Sequence, residues 1–128
     1  MKKALLVFIA VLLIGSQAYA QTKVSRIVMT TGIENKEPID NVSTAKGEMQ
    51  DIYCFTEIQT DEYPTEVTHI WIHGKNIEAE VRLFVGSPKW RTYSSKTIPS
   101  EKTGEWKVEI YAKSGQLIDS VDFMVNEQ

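Results

Sequence analysis

The side chains of this chain that could do chemistry are concentrated in His69-Ile70-Trp71, Arg82, the run Trp90-Arg91-Thr92-Tyr93-Ser94-Ser95-Lys96, and Gly104-Glu105-Trp106. All three tryptophans are among them. Guanidinium, ammonium and hydroxyl groups beside aromatic rings can hold a carboxylate, a phosphate or a sugar. Exposed Trp and Arg are also the types most enriched where partners bind. The same groups can instead stiffen a β-sheet face or satisfy loop carbonyls. His69, Trp71, Arg82, Trp90, Arg91, Ser94, Ser95 and Lys96 are therefore the ligand-binding candidates.

Catalytic chemistry finds little support in the spacing. The sequence holds no His-Glu-x-x-His, no Gly-x-Ser-x-Gly and no Cys with a His close by in the chain. His69 and His73 are four apart, which on a strand is ~13 Å and too far to chelate one metal ion. Gly86-Ser87-Pro88-Lys89 does not make a phosphate cradle, because no Gly-rich turn leads into a helix N-terminus. No catalytic residue, metal site or cofactor is expected. Cys54 is the single cysteine, so no intramolecular disulfide forms, and its setting in Ile52-Tyr53-Cys54-Phe55 reads as a small apolar residue inside a strand.

The elements that must position these residues follow from hydrophobic alternation. Period-2 segments broken by Gly, Pro and Asn clusters cover residues 24–31, 51–59, 66–73, 77–85, 90–98, 106–113 and 117–125, with no apolar stripe of helical period. Residues 33–47 read mostly as loop, with a short strand near Val42. Seven strands at this spacing predict an all-β, antiparallel, immunoglobulin-like β-sandwich.

Two hairpins can be placed in register. A two-residue Ser114-Gly115 loop sets Ala112 opposite Leu117, Ile110 opposite Asp119, Val108 opposite Val121 and Trp106 opposite Phe123, which makes Trp106 and Phe123 core residues. Around Gly74-Lys75-Asn76, strict alternation puts Ile70, Ile72, Ile77, Ala79, Val81, Leu83 and Val85 on the core face. His69, Trp71, His73, Glu78, Glu80, Arg82 and Phe84 then share the solvent face. In the next strand Trp90, Thr92, Ser94 and Lys96 lie on one side, and Arg91, Tyr93 and Ser95 on the other. Alternation does not settle whether Trp90 is exposed.

Residues 1–20 carry an address. Lys2 and Lys3, the uncharged run 4–15 and Ala18-Tyr19-Ala20 have the form of a signal peptide cleaved after Ala20. The apolar run is shorter than a bilayer span, so a soluble periplasmic or secreted product without stable membrane insertion is expected. Cleavage leaves twelve basic against seventeen acidic residues, a formal charge of −5. That balance opposes a nucleic-acid partner, which needs a basic stripe. The remaining 108 residues make one domain, with 21–50 its N-terminal strand and loop region and 51–128 the rest.

From Asp51 to Val125 the order Cys54, His69-x-Trp71, Arg82, Trp90-Arg91-Thr92-Tyr93-Ser94-Ser95-Lys96, Gly104-x-Trp106-x-Val108 and Phe123-x-Val125 resembles the bacterial domain of unknown function numbered 2914. The resemblance implies a small β-domain of bacterial envelope and membrane-linked proteins, with no assigned activity. It marks His69, Trp71, Arg82, Trp90, Arg91, Ser94, Ser95, Lys96 and Trp106 as characteristic positions without giving them a role. The expectation is an exported, non-catalytic binding or interaction module contacting an envelope glycan, peptide or partner protein. The alternatives are a small envelope hydrolase or transferase, and a structural subunit that associates by an edge strand.

Overall fold

The computed structural model describes residues 21–127, so the expected signal peptide lies outside the described residues. Ten strands run in the order β1 (Thr22–Thr30), β2 (Ile33–Glu34), β3 (Glu37–Pro38), β4 (Thr44–Lys46), β5 (Gln50–Thr60), β6 (Thr65–His73), β7 (Asn76–Val85), β8 (Lys89–Ile98), β9 (Gly104–Ala112) and β10 (Leu117–Asn126). The seven long ones are those that alternation predicts, each within two residues of its expected bounds. They form a three-stranded sheet β1-β5-β8 and a five-stranded sheet β4-β10-β9-β6-β7. This is an all-β sandwich, and no helix of the described residues is long and apolar enough to cross a membrane.

The region expected to be mostly loop is more ordered than its composition suggests. β2 and β3 close a hairpin through Asn35 and Lys36, both with positive φ, the pairing that matches the twist of a two-residue turn. β4 pairs with β10 in parallel, the one departure from the expected antiparallel pattern among the paired strands.

The core lies between the sheets. Ile52, Cys54 and Ile58 of β5 and Ile98 of β8 meet Val67 and Trp71 of β6, Trp106, Val108 and Ile110 of β9, and Phe123 and Val125 of β10. Trp106 stacks on Phe123 with ring centroids 5.8 Å apart, and Trp71 meets the edge of Phe123 at 6.1 Å. Trp106 and Phe123 are thus the core pair that the C-terminal hairpin predicts, in register from Asp119 onward. At the hairpin's mouth the register slips, so Leu117 faces Tyr111 instead of Ala112 and stays half exposed.

The β6–β7 hairpin corrects the expected faces. Its turn pairs His73 with Asn76 and Ile72 with Ile77, but the next pair is Trp71 with Ala79, so Glu78 is an extra residue in β7. A one-residue bulge flips one strand's side chains relative to its partner's. Ala79, Val81, Leu83 and Val85 do line the inner face, as expected, whereas Ile77, expected beside them, lies before the bulge and is 66% exposed. The inner residues lie beside Trp71, His69, Val67 and Thr65, whereas alternation pairs them with Ile70 and Ile72. Trp71 and His69 are fully buried and are not surface residues.

Candidate functional site

The eight candidate residues separate into an internal group, a cleft group and three residues that belong to neither. The internal group is His69, Trp71 and Ser94, joined by Thr56, which the sequence did not single out. His69 Nδ1 is 2.6 Å from Ser94 Oγ, and its Nε2 is 3.1 Å from Thr56 Oγ1. Trp71 Nε1 donates to Ser94 Oγ at 3.0 Å, and Thr56 Oγ1 donates to the Thr92 carbonyl at 3.3 Å.

One assignment of protons satisfies every donor in this group. Trp71 N–H donates to Ser94, the Ser94 hydroxyl to His69 Nδ1, His69 Nε2–H to Thr56, and the Thr56 hydroxyl to Thr92. The chain requires a neutral imidazole, and burial pushes the pKa of His69 down to about 4. β6 supplies two members, and β5 and β8 supply the others, so the network ties one sheet to the other. It resembles a hydroxyl–imidazole pair of nucleophilic catalysis in its distances alone. His69 and Thr56 are wholly buried and Ser94 nearly so, which leaves no approach for a substrate.

The cleft group sits at β8, the outer edge of the three-stranded sheet. Phe84 closes the end of β7 and packs edge-on against Trp90 at 5.6 Å, across the turn that contains Gly86. Gly86 is the tight point there, because a Cβ would lie 2.6 Å from the Phe84 ring and 3.1 Å from Trp90. Trp90, left open by the sequence, is half-buried, while Phe84 is 62% exposed and Tyr93 46%. Together with Lys36, Phe55, Ser87, Lys89, Arg91 and Thr92 they line a cleft of about 570 Å³.

The β2–β3 hairpin forms one wall of this cleft. Glu37 bonds both guanidinium nitrogens of Arg26 (3.0 and 2.8 Å) and Arg91 Nη1 (2.8 Å). The two arginines hold the Glu37 carboxyl at a pKa of about 2, Arg26 contributing more. Arg26 in turn lies over the Phe55 ring at 4.9 Å and approaches Glu57 at 3.7 Å. This stack brings Lys36 to the cleft and buries Phe55, although Phe55 points away from the sandwich core. The lining carries four aromatic rings and three cations, and its nearest carboxylate, Glu37, is already shared between two arginines.

Arg82, Ser95 and Lys96 join neither group. Arg82 is exposed on the outer face of the five-stranded sheet, opposite Thr68. Ser95 is exposed opposite Tyr53. Lys96 is half-buried at the far end of β8, where its charge helps to hold the pKa of Glu78 down, after the direct partner Lys102. Phe55, Phe84, Lys36, Lys89 and Tyr93 are cleft residues that the sequence did not bring forward as candidates. Outward alternation of Arg91 with Tyr93 was the available signal. Nothing in the sequence announced the approach of Lys36.

Cys54 is wholly buried, and burial, with a smaller effect of Asp119, pushes its thiol pKa well above the ordinary value. No group of three or more His, Cys, Asp or Glu among the described residues could hold a metal ion.

Residues 64–125 match the model of the family described as protein of unknown function (DUF2914), which bears out the resemblance over β6 to β10. Residues 51–63, which the resemblance also included, lie outside the match. No curated protein matches the chain. Among solved structures, the chain is similar to a Niemann-Pick type C2 protein from Japanese carpenter ant, at 10% identity and a TM-score of 0.48, over 88% of this chain and 96% of that one. It is also similar to a beta-glucosidase from Listeria innocua, at 8% identity and a TM-score of 0.48, over 84% of this chain and 16% of that one.

Proposed function

We propose that the chain is an exported, non-catalytic binding module of the cell envelope, and that its contact surface is the cleft beside β8. The observation that carries this reading is the lining itself. Phe84, Trp90 and Tyr93 offer ring surface at the edge of the sandwich, and Lys36, Lys89 and Arg91 offer positive charge between them. Rings and cations together favour a ligand with a flat or apolar surface and negative charge. This surface is local, since the chain after the expected cleavage is net acidic.

A binding role is favoured over an enzymatic one by where the polar groups point. The closest hydroxyl–imidazole pair among the described residues, Ser94 with His69, faces the interior. The cleft holds no carboxylate or imidazole that could act as a base.

The test uses Trp90 as a reporter, because Trp71 and Trp106 are sealed in the core. Protein beginning at Gln21 is titrated with peptidoglycan fragments, acidic glycans and acidic peptides while fluorescence is followed. A ligand that shifts Trp90 emission, and loses at least tenfold in affinity on Arg91→Ala with folding intact, supports the reading. Binding that Trp90→Phe and Arg91→Ala leave unchanged would move the function elsewhere on the molecule.

A further inference from the structure

We propose that the occupant of this cleft is an extended, carboxylate-bearing peptide segment that adds to the free edge of β8 as a further strand. The proposal rests on the binding reading above and names its ligand class. Among the described residues four strands end the two sheets, and the cleft runs along one of them, β8. β4 has three residues. β1 is interrupted by a bulge between Val24 and Arg26, and β7, bulged at Glu78 with Ala79 to Val85 in register beyond it, carries Glu80 on its edge, a carboxylate that β8 lacks. β8 pairs on one side with β5 through ten consecutive residues without a shift, and no other strand among the described residues joins its far side. A long, unbulged edge of this kind presents main-chain donors and acceptors in register for an incoming strand.

The side chains restrict where that strand can lie and what it can carry. Pro88 precedes β8 and Pro99 follows it, and Lys96, whose Nζ donates to the Thr97 carbonyl, puts a charge at the far end of the strand, a feature that blunts an edge. The open stretch is therefore Trp90 to Ser95, about 20 Å of strand. Along it Arg91 and Tyr93 face the outer side and Trp90 and Thr92 the inner side, so alternate side chains of a docked strand meet the two halves of the cleft.

Charge decides between a foreign strand and a second copy of β8. Lys89, Arg91 and Lys96 are the charged residues of β8, with no carboxylate among them. Two β8 edges set against each other would bring cations together, which is destabilising. A strand with carboxylates at alternate positions meets Lys89, Arg91 and Lys36 instead, and its apolar positions meet Phe84 and Trp90.

The experiment uses a capped seven-residue peptide alternating valine with glutamate, its lysine counterpart, and two versions of the acidic peptide N-methylated at alternate residues in either register. Binding is followed by Trp90 fluorescence, and amide exchange of residues 90–95 by NMR. The expected result is at least tenfold tighter binding of the acidic peptide than of the lysine peptide, with loss of binding on N-methylation in one register only. Amide exchange within 90–95 slows at the same time. Tight binding that tolerates N-methylation in both registers overturns strand addition while leaving the cleft reading intact. If no peptide binds but an acidic glycan shifts Trp90, the peptide class is wrong and the cleft stands. If no probe shifts Trp90, both readings fall.

Discussion

Ser94 holds two buried groups at once, the Trp71 indole N–H and His69 Nδ1, and neither has another partner in the network. Ser94→Ala leaves both without a hydrogen bond. The cost of stranding buried polar groups is ~1–3 kcal/mol each, so the variant should lose about 2–6 kcal/mol in urea unfolding. Ser95→Ala, one residue away on the exposed side, should change stability by less than about 0.5 kcal/mol. Equal effects at the two positions would remove the network from any role in stability. A second prediction at this scale concerns Cys54, which burial keeps protonated and out of reach. A thiol-specific reagent such as a disulfide dye should leave the native protein unmodified at pH 8 and label one thiol after denaturation. Rapid labelling of the folded protein would show that the β5 interior opens.

The turn between β7 and β8 shapes the cleft as an element, and Gly86 is its tight point. In Gly86→Ala the new methyl would overlap the Phe84 ring edge, and because Phe84 is largely exposed it can swing away. The expected outcome is a stability loss below about 1 kcal/mol, since no core atom has to move. The edge-on contact with Trp90 should open, changing its fluorescence and weakening cleft ligands. A loss of several kcal/mol with an unchanged cleft would contradict this packing. Elements were also the level at which the sequence was most legible, and where it misled. Alternation located all seven long strands and the inner side of β7 from Ala79 to Val85, because a half-buried strand must show its period. It misplaced β6, because Val67, His69 and Trp71 compete there with Ile70 and Ile72 for the core, and both sets contain apolar residues. The deciding event is the bulge at Glu78, one inserted residue without a compositional mark. The cleft was half legible. Trp90 and Arg91 were evident from their types, but Lys36 and Phe55 depend on how the β2–β3 hairpin folds across β1, a contact between distant parts of the chain.

At the scale of the whole molecule, acid stability should fall in two separate stages. His69 is neutral in the folded protein because burial lowers its pKa to about 4, from an ordinary value of 6.5. Between those values the unfolded chain binds a proton that the native state refuses. Stability therefore declines as pH falls from about 6.5 toward 4. The slope approaches ~1.4 kcal/mol per pH unit, and the loss between pH 7 and 4.5 is about 2–3 kcal/mol. The carboxylates act later and with the same sign, but there it is the charged form that the folded state favours. Glu37, Asp40 and Glu78 have lowered pKa values in the folded state, from their bonds to Arg26 and Arg91, to Thr30 and Thr31, and to Lys102. Their stabilisation is complete above the ordinary carboxylate range and disappears only as pH falls below about 4, with solvent screening keeping it small. Urea midpoints of the wild type and His69→Gln at pH 7, 5.5 and 4.5 separate the stages. The variant should be less stable at pH 7 but lose much less between pH 7 and 4.5. If His69→Gln fails to fold, the imidazole resonances of the wild type carry the same test, with one His unchanged by NMR down to pH 5. Parallel pH slopes for the two proteins, or a His69 resonance that titrates near 6.5, would show that the imidazole between the sheets is charged or hydrated. The directional chain from Trp71 to Thr92 would then have to be abandoned.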